Sequence, residues 1–554
     1  MTIKANTTAD KRKTKGSAIK KDWTIMVYMA GDNNLNDDMF AGILGLRDRL
    51  NLSPQSKVSF LIFFDGATLG AKTLQIDFSD AQAGYVTRNG ETTPASISSF
   101  VTWCVGDRKN DRGHRAHNYA LIFSGHGDGF LGGKFLPDDH PGSYLTGYAL
   151  RKELTKVRGI LKGKLKIIGF DSCVMNSAET AYEMEPFAEI LIGSQGYFPN
   201  TGWDYGRIAT NMSKKYKRAK ARIEPGEMAD IVAGSLIESN YRYALYAGRS
   251  MDVSWSALSK INSVAKSVYK LAKELTVALD NESTKGKCEI AILNAHWKCQ
   301  TYYFDQCIDL ADFCSILSKY CDNDLREIAG SCNKVIAAVE ACVRRTLYLG
   351  PEFQYARGLS LFFPWSYDTY RMFFRTLYTN RDFGADQKHI GDKDASHTSS
   401  WTAFLDKYLS STKRPLNADA TDRPPQDVTG LAVISKVRKP RRDPDTPFFT
   451  NREFQNRDFL FNATEGGPLH RIGGEDRPRI GGEDRPRIGG EDRPRIGGED
   501  RPRGGSVPQE TKITKNLPWI WNEWGLSPEV RNVLLKARII DETGETSGFI
   551  PAED

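Results

Sequence analysis

Two residues that could act as a nucleophile and its base follow apolar runs in this sequence. Cys173 follows the run 165–170, and His126 follows the run 118–123. In an open, mostly parallel α/β sheet, the carboxyl ends of the strands meet at one edge, where ligands bind. A thiol assisted there by an imidazole performs nucleophilic catalysis. The alternative for Cys173, taken alone, is a small buried core thiol.

The residues around these two positions predict their local geometry. We expect a helix to begin directly after Cys173, so that its N-terminal N–H groups favour the thiolate. His126 is flanked by Gly125 and Gly127, which let the backbone approach a substrate closely. One helical crossover over residues 147–161 would place the two strands side by side. The sequence therefore predicts a Cys/His dyad, with no third residue apparent.

Six blocks in this order resemble the clostripain family of cysteine endopeptidases, in the caspase-like clan. They are WTIMVYMAGDNNL (23–35), IFSGHG (122–127), IIGFDSCVMNSAETAYE (167–183), LIGSQGYFPNTGWDY (191–205), FDQCIDLADF (304–313) and GLSLFFP (358–364). The separation of 47 residues between His126 and Cys173 is close to the roughly 50 residues that separate the same pair in caspases. The resemblance covers residues 22–410.

Strands alternate with helices along the chain, which predicts an α/β protein with helices on both faces of a sheet. With the resemblance, this becomes a caspase-like α/β/α sandwich with a mostly parallel central sheet, plus a low-complexity C-terminal tail. The expected parts are a basic disordered arm (1–22), a clostripain-like peptidase domain (23–410), a disordered linker (411–505) with RIGGEDRP repeats at 471–502, and a C-terminal docking segment (506–554).

The resemblance implies an endopeptidase that cleaves after a basic P1 residue, Arg with Lys as the open alternative, through an acyl-enzyme. Cys173 would attack and His126 would move the proton, while the N–H groups of Gly127 and Cys173 would bind the oxyanion. Asp171 matches the family position that selects a basic P1 side chain, because a carboxylate pairs with a guanidinium. The alternative for Asp171 is a helix N-cap. Asp204 is a second acidic candidate for substrate binding.

Two further features bear on the site by the same resemblance. Asp32 and Asn34 follow the first strand on the active-site edge, so they are candidates to support the dyad, although helix capping alone would explain them. The turn-rich segment 131–148 is expected to be an exposed loop, where proteases cut. Relatives mature by cleavage between the His and the Cys, which makes a zymogen and an activating protease the expectation. The candidate cleavage residues are Lys134, Arg151 and Lys152; the alternative is an uncut loop.

Charge and composition argue against several classes of partner. The net charge is +7, but residues 1–22 contain seven Lys or Arg and two Asp. Most of the excess therefore lies in an arm that is expected to be solvated, and we predict neither a nucleic-acid nor a membrane partner. No apolar run reaches the 18 or so residues of a membrane span. The absence of an apolar signal sequence favours a cytoplasmic protein.

The cysteines indicate reduced thiols rather than a metal site. Nine are present, with no CxxC pair and no Cys/His metal spacing. Calcium enhances some relatives, but no calcium loop is recognisable, so no cofactor is predicted. The expected partners are protein or peptide substrates with a basic P1 residue and an activating protease. The alternative function is a catalytically idle caspase-like scaffold that recruits partners through its C-terminal tail.

Overall fold

The structure, a computed structural model, covers most of the predicted peptidase domain. It describes residues 21–52, 57–67, 69, 72–78, 84–89, 92–106, 113–127, 129, 135–139, 143–219, 221–247, 250–302, 306–350, 353–364 and 400–411. The predicted linker, the repeats and the C-terminal docking segment lie outside these residues, as does the basic arm up to residue 20.

The elements of the described residues alternate as the sequence predicts. The strands are β1 (Lys21–Gly31), β2 (Val58–Gly66), β3 (Lys72–Asp77), β4 (Gly84–Asn89), β5 (Ala116–Ser124), β6 (Phe135–Asp138), β7 (Ser143–Leu145), β8 (Leu165–Asp171), β9 (Ala188–Gly193), β10 (Met251–Ala257), β11 (Thr301–Tyr302), β12 (Cys307–Asp309), β13 (Val343–Leu349) and β14 (Ser360–Phe362). The helices are α1 (Asn36–Leu52), α2 (Pro94–Val105), α3 (Gly147–Leu161), α4 (Ala178–Met184), α5 (Tyr205–Ala219), α6 (Pro225–Ala247), α7 (Ile261–Asp280), α8 (Lys285–Lys298), α9 (Leu310–Tyr320), α10 (Arg326–Cys342) and α11 (Ser400–Ser411).

A nine-stranded sheet forms the centre of the domain, in the order β13-β10-β9-β8-β5-β1-β2-β3-β4. The five strands from β9 to β2 are parallel. Antiparallel strands extend both ends, β3 and β4 at one and β10 and β13 at the other. β1 and β2 are buried almost throughout, as parallel strands covered on both faces are. The predicted α/β fold with a mostly parallel sheet is confirmed.

Helices flank both faces because the connections between parallel strands run in two directions. α1 leads from β1 to β2, whereas α2, α3 and α4 lead to β5, β8 and β9 on the other side of β1. Such crossovers are almost always right-handed, so α1 lies on one face and the other three helices on the opposite face. α1 packs against α5, and α2 packs against α3. The direction therefore reverses between β1 and β5, where parallel α/β sheets bind ligands.

Two expectations on the chain as a whole can be compared with the structure. The nine cysteines all lie in described segments, and none of them forms a disulfide, as predicted. Among the described helices, none is both long enough and apolar enough to cross a membrane.

Candidate active site

His126 lies in the short loop after β5, and its side chain is completely buried. Its Nε2 donates to Oδ1 of Asn34 at 2.7 Å, and its main-chain carbonyl accepts from the N–H of Leu136 at 3.1 Å. A Cβ atom at Gly125 would come within 2.8 Å of Leu136 Cδ2, so the loop packs too tightly there for a side chain. The loop after β1 thus holds the imidazole of His126, and Asn34 is the candidate in that loop whose side chain makes this bond.

The loop that carries Cys173 differs from the prediction. The helix α4 begins only at Ala178, where Oγ of Ser177 accepts from the N–H of Thr180 at 3.1 Å as its N-cap. Cys173 therefore precedes the helix instead of lying at its N-terminus, and the expected support of the thiolate by helix N–H groups was wrong. A helix cannot begin directly after Cys173 because Val174 adopts φ of +50°, outside the right-handed helical region.

The thiol of Cys173 is bound by main-chain groups of Phe198 instead of by the helix. Its side chain is completely buried, and the N–H of Phe198 donates to Sγ at 3.1 Å. The thiol in turn lies 3.7 Å from the carbonyl oxygen of Phe198 and donates to it. An N–H directed at sulfur stabilises the thiolate, as a helix N-terminus would. The loop after β9, which contains Phe198, therefore supplies the donor that the sequence assigned to α4.

The loops after β5 and β8 touch at Gly127. A Cβ atom on Gly127 would lie 3.0 Å from the carbonyl oxygen of Cys173 and 2.8 Å from Cγ of Met175. Only glycine fits that approach without displacement of the Cys173 loop. The two strands are direct neighbours, with Ser124 paired to Asp171. The structure thus brings the loops of His126 and Cys173 together at one sheet edge, while the role of the Gly127 and Cys173 N–H groups towards an oxyanion stays a prediction.

Asp171 ends β8 and is buried beside a cleft. Its Oδ2 accepts hydrogen bonds from the hydroxyls of Ser124 and Tyr205, each at 2.8 Å. Burial raises the pKa of Asp171 to about 6, and these two hydroxyls together with a main-chain N–H of Trp203 oppose the rise. These donors favour the charged form of the carboxyl against the effect of burial. The alternative of a helix N-cap was wrong, since Ser177 caps α4.

The cleft beside Asp171 lies at the reversal between β1 and β5. One wall comes from the end of β1 and the start of α1, and the other from the loop after β9. In that loop Gly202 has φ of +63°, and a Cβ atom on it would lie 3.1 Å from both carboxylate oxygens of Asp171. A second acidic residue, Asp38, is among the residues that line it. The walls combine apolar with acidic groups; they include Met29, Leu35, Met39, Phe198 and Trp203.

Asp204 lies between two residues that line this cleft, Trp203 and Tyr205, but its own carboxylate is bound elsewhere. Its Oδ1 accepts from the N–H of Arg207 at 2.7 Å, and its Oδ2 accepts from the hydroxyl of Ser239 at 2.9 Å. The first bond makes Asp204 the N-cap of α5. It is not among the described residues that line the cleft. Substrate binding by Asp204 stays a prediction, and the structure gives its carboxylate a structural role.

Part of the segment between His126 and α3, which was expected to be an exposed loop, has a different structure. Residues 135–138 form a strand instead of an exposed loop, because the ring of Phe135 packs within 5.6 Å of Phe123 and 5.5 Å of Phe170 between ring centroids. Of the candidate cleavage residues, Arg151 and Lys152 lie within α3, and Arg151 is paired with Glu183 at 2.7 Å. The third candidate, Lys134, lies outside the described residues.

A buried carboxylate that the sequence did not reveal fixes the loop after β9. Asp252, on β10, accepts from the N–H groups of Gln195 and Gly196 at 2.8 and 2.9 Å and from the hydroxyl of Ser194 at 2.8 Å. Burial raises the pKa of Asp252 to about 6. Gly196 in turn accepts from the N–H of Val174 at 2.9 Å. Asp252 therefore supports the Cys173 loop through the segment that leads to Phe198.

Among the described residues, no cluster of His, Cys, Asp and Glu side chains is suited to bind a metal ion. The chemistry available at this edge is that of a thiol, an imidazole, main-chain donors and a carboxylate in a cleft.

Comparison with protein-family models identifies the family. The model of the clostripain family, Peptidase C11, matches residues 27–407, which is more than half of the chain. The chain belongs to the clostripain family. This clostripain-family protein is 23% identical over 319 residues to clostripain of Hathewaya histolytica. The aligned stretch covers 48% of this chain and 58% of that relative. The match thus spans little more than half the length of that relative.

Solved structures of C11 proteases are also similar to this clostripain-family protein. One is a secreted C11 cysteine protease from Bacteroides thetaiotaomicron in complex with an irreversible peptide inhibitor, with 16% identity, a TM-score of 0.47 and coverage of 66% of this chain and 100% of that one. Another is an inactive zymogen C11 protease from Parabacteroides distasonis, with 17% identity, a TM-score of 0.43 and coverage of 62% of this chain and 92% of that one.

Proposed function

We propose that this protein is a cysteine endopeptidase that hydrolyses peptide bonds after basic residues, Arg first and Lys second. The observation that carries the proposal is the contact between the loops of His126 and Cys173 at Gly127, where a Cβ atom would lie 3.0 Å from the Cys173 carbonyl oxygen. That contact sets an imidazole and a thiol at the carboxyl ends of adjacent parallel strands. Membership of the clostripain family supports the same chemistry.

The proposed reaction proceeds through an acyl-enzyme. The Cys173 thiol gives its proton to His126, and the thiolate attacks the carbonyl carbon of the peptide bond. The negative charge that develops on the carbonyl oxygen is received by the N–H groups of Gly127 and Cys173. When the C–N bond breaks, His126 returns the proton to the leaving amine. Water, deprotonated by His126, then attacks the thioester, and the released carboxylate leaves the thiol restored.

Asp171 is the proposed selector of the P1 side chain. It is the buried carboxylate of the cleft beside Cys173, and its charge is supported by donors from Ser124 and Tyr205. A guanidinium can pair with such a carboxylate through two N–H groups, while an ammonium makes a single contact, so Arg is favoured over Lys. Asp38, at the start of α1, adds negative charge to the same cleft. Asp204 keeps its capping role in this proposal.

The protein is further proposed to be made as a zymogen in a reducing compartment. The side chains of His126 and Cys173 are both completely buried in the intact chain, so a substrate carbonyl reaches Sγ only after a rearrangement. Cleavage between the two residues would supply it. None of the nine cysteines forms a disulfide, which favours a reducing, cytoplasmic setting.

Fluorogenic peptides with Arg, Lys or Asp at P1 test this function, before and after limited proteolysis of the chain. We expect hydrolysis after Arg and Lys that Cys173→Ala abolishes. Cys321→Ala, which removes a partly exposed thiol after α9, should leave the rate unchanged. Absence of hydrolysis in the processed chain would favour the idle caspase-like scaffold instead, and hydrolysis after Asp would contradict the role of Asp171.

A further inference from the structure

The side chain of Asn34 reaches across the reversal between β1 and β5 to the imidazole of His126. Oδ1 of Asn34 lies 2.7 Å from Nε2 of His126. Asn34 itself is exposed, whereas His126 is completely buried. The bond therefore joins an exposed amide of one loop to a buried ring of another.

The turn that carries Asn34 is fixed by its neighbour Asn33. The side-chain Nδ2 of Asn33 donates to the carbonyls of Ala30 and Pro137 at 3.0 and 3.1 Å, and its Oδ1 accepts from the N–H of Leu35 at 2.9 Å. Asn33 is itself buried. These bonds tie the end of β1, the start of α1 and the β6 segment together without any help from the side chain of Asn34. The loop geometry thus has its own support, and the Asn34 amide is left to act on His126.

An amide oxygen accepts hydrogen bonds and cannot donate them. A bond from Nε2 to Oδ1 therefore requires the hydrogen on Nε2. In a neutral imidazole the other nitrogen then carries the lone pair, so the base of His126 is Nδ1. A free imidazole exchanges between both forms, and only one of them can take a proton through Nδ1.

We propose that Asn34 is a positioning residue that fixes the tautomer of His126, so that Nδ1 exchanges protons with Cys173 and the leaving amine. The inference rests on the proposed peptidase function. In the first step the Cys173 S–H bond breaks and its proton forms an N–H bond at Nδ1, which gives an imidazolium. Nε2 keeps its own hydrogen, and Asn34 keeps its bond throughout. Nδ1 then gives the proton to the leaving nitrogen as the C–N bond breaks.

Three variants separate this role from a structural one. Asn34→Ala removes the acceptor, and Asn34→Asp keeps an acceptor oxygen and adds a negative charge that stabilises the imidazolium. Asp37→Ala is the matched control, since its exposed carboxylate accepts from Asn36 in the same turn. The other titratable groups of the surrounding loops, Cys173, Asp32 and Asp138 among them, stay constant across the set.

Nitrogen-15 NMR of histidine-labelled full-length chain, in a Cys173→Ala background, reads the tautomer without any need for activity. We expect Nε2 of His126 to resonate as a protonated nitrogen and Nδ1 as one with a lone pair. Asn34→Ala should give a mixture of both forms, and Asn34→Asp should raise the titration midpoint of His126 by about one pH unit. His126→Gln assigns the signal. A hydrogen on Nδ1 in the parent, or an unchanged tautomer in Asn34→Ala, would overturn the proposal.

The kinetic arm uses the same substitutions with Cys173 intact. Asn34→Ala should lower kcat about tenfold to a hundredfold with little change in KM. Asn34→Asp should recover most of that loss and move the limb of the pH profile that belongs to His126 upward. Asp37→Ala should match the parent. If the NMR results hold and no variant hydrolyses peptides, the peptidase function fails and the assignment of the tautomer stands. If the variants do hydrolyse peptides and all have equal kcat, the positioning role of Asn34 is refuted.

Discussion

The hydroxyl of Tyr205 lies 2.8 Å from Oδ2 of Asp171 and shares that oxygen with the hydroxyl of Ser124. The two donors come from α5 and β5, while Asp171 ends β8. Together they oppose a burial that raises the pKa of Asp171 to about 6. The charge of the cleft is therefore set by three separate elements, and it changes within the range of pH in which peptide hydrolysis can be assayed.

Selection of a basic P1 residue should depend on pH through Asp171. The ratio of kcat/KM for an Arg peptide to that for a neutral-P1 peptide should fall as the pH drops below about 6, because protonation removes the carboxylate charge. In Asp171→Asn the ratio should be low and flat from pH 5 to pH 8. Steady-state assays of both substrates across this range check the prediction. A ratio that stays high in the variant would assign the selection to another residue.

The same raised pKa should make Asp171 a cost to stability at neutral pH. The carboxyl titrates near 3.8 in the unfolded chain and at about 6 in the fold, so the folded state binds more protons between these values. The cost is present in full above pH 6 and is lost as the pH falls towards 3.8; it amounts to about 3 kcal/mol. Asp171→Asn should therefore melt at a higher temperature than the parent at pH 7.5, with a gap that narrows as the pH falls through 6 towards 3.8. Calorimetry that finds a constant gap, or a lower Tm, would contradict this.

Gly127 should tolerate no side chain. In Gly127→Ala the new Cβ would meet Cγ of Met175 at 2.8 Å and the Cys173 carbonyl at 3.0 Å, so the loops of His126 and Cys173 must separate. We expect kcat/KM to fall by about a hundredfold, as when an oxyanion donor is lost. Gly159→Ala is the control, since a Cβ atom there, on α3, meets nothing within 4 Å. That variant should keep full activity and gain up to about 1 kcal/mol of stability. Equal effects of the two substitutions would rule out the contact.

Asp204 should matter for stability and not for selectivity. Asp204→Ala removes the N-cap of α5 and the partner of the Ser239 hydroxyl, and we expect a loss of about 1 kcal/mol. Urea unfolding measures it. Asp204→Ser keeps a capping oxygen and should restore most of the loss, with the ratio of Arg to neutral-P1 hydrolysis unchanged in both variants. A fall in that ratio would establish the substrate contact that the sequence suggested.

Processing should occur at Lys134 and spare Arg151 and Lys152. Proteases need an extended backbone, and the latter two residues lie in α3 with helical hydrogen bonds. We expect Lys134→Gln to stop the cleavage between His126 and Cys173 and to keep the chain inactive, while Lys152→Gln is processed normally. N-terminal sequencing of the fragments identifies the site. Cleavage after Lys152 would show that α3 opens before activation.

The elements that hold His126 and Cys173 could be predicted because their signals are local. β5 and β8 contain apolar runs and end at Ser124 and Asp171, and α3 has the predicted bounds, Gly147–Leu161. The start of α4 could not be predicted, since the N–H groups of Val174 and Asn176 bond to the carbonyls of Gly196 and Ser194, which lie about 20 residues away. Such bonds delay the helix, and a pattern of apolar residues does not record them.

The strand β10 was not among the predicted features of the site. Met251–Ala257 lies between β9 and β13 in the sheet and pairs with both. Asp252, Ser254 and Ser256 are all completely buried in it. The sequence of β10 alternates apolar and polar residues, which is typical of a strand with one face in solvent, whereas here the polar side chains are buried as well. The support that Asp252 gives to the Phe198 loop therefore became visible only in three dimensions, as did the bond from His126 to Asn34.

The central claim is that Cys173 is a nucleophile that depends on His126, and covalent labelling tests it most directly. The processed chain would be treated with a peptidyl-Arg acyloxymethyl ketone and mapped by mass spectrometry. The account predicts one adduct, on Cys173, which forms much more slowly in His126→Gln. The other eight cysteines should stay unmodified. An adduct on a different cysteine, or labelling of Cys173 at the same rate without His126, would contradict it.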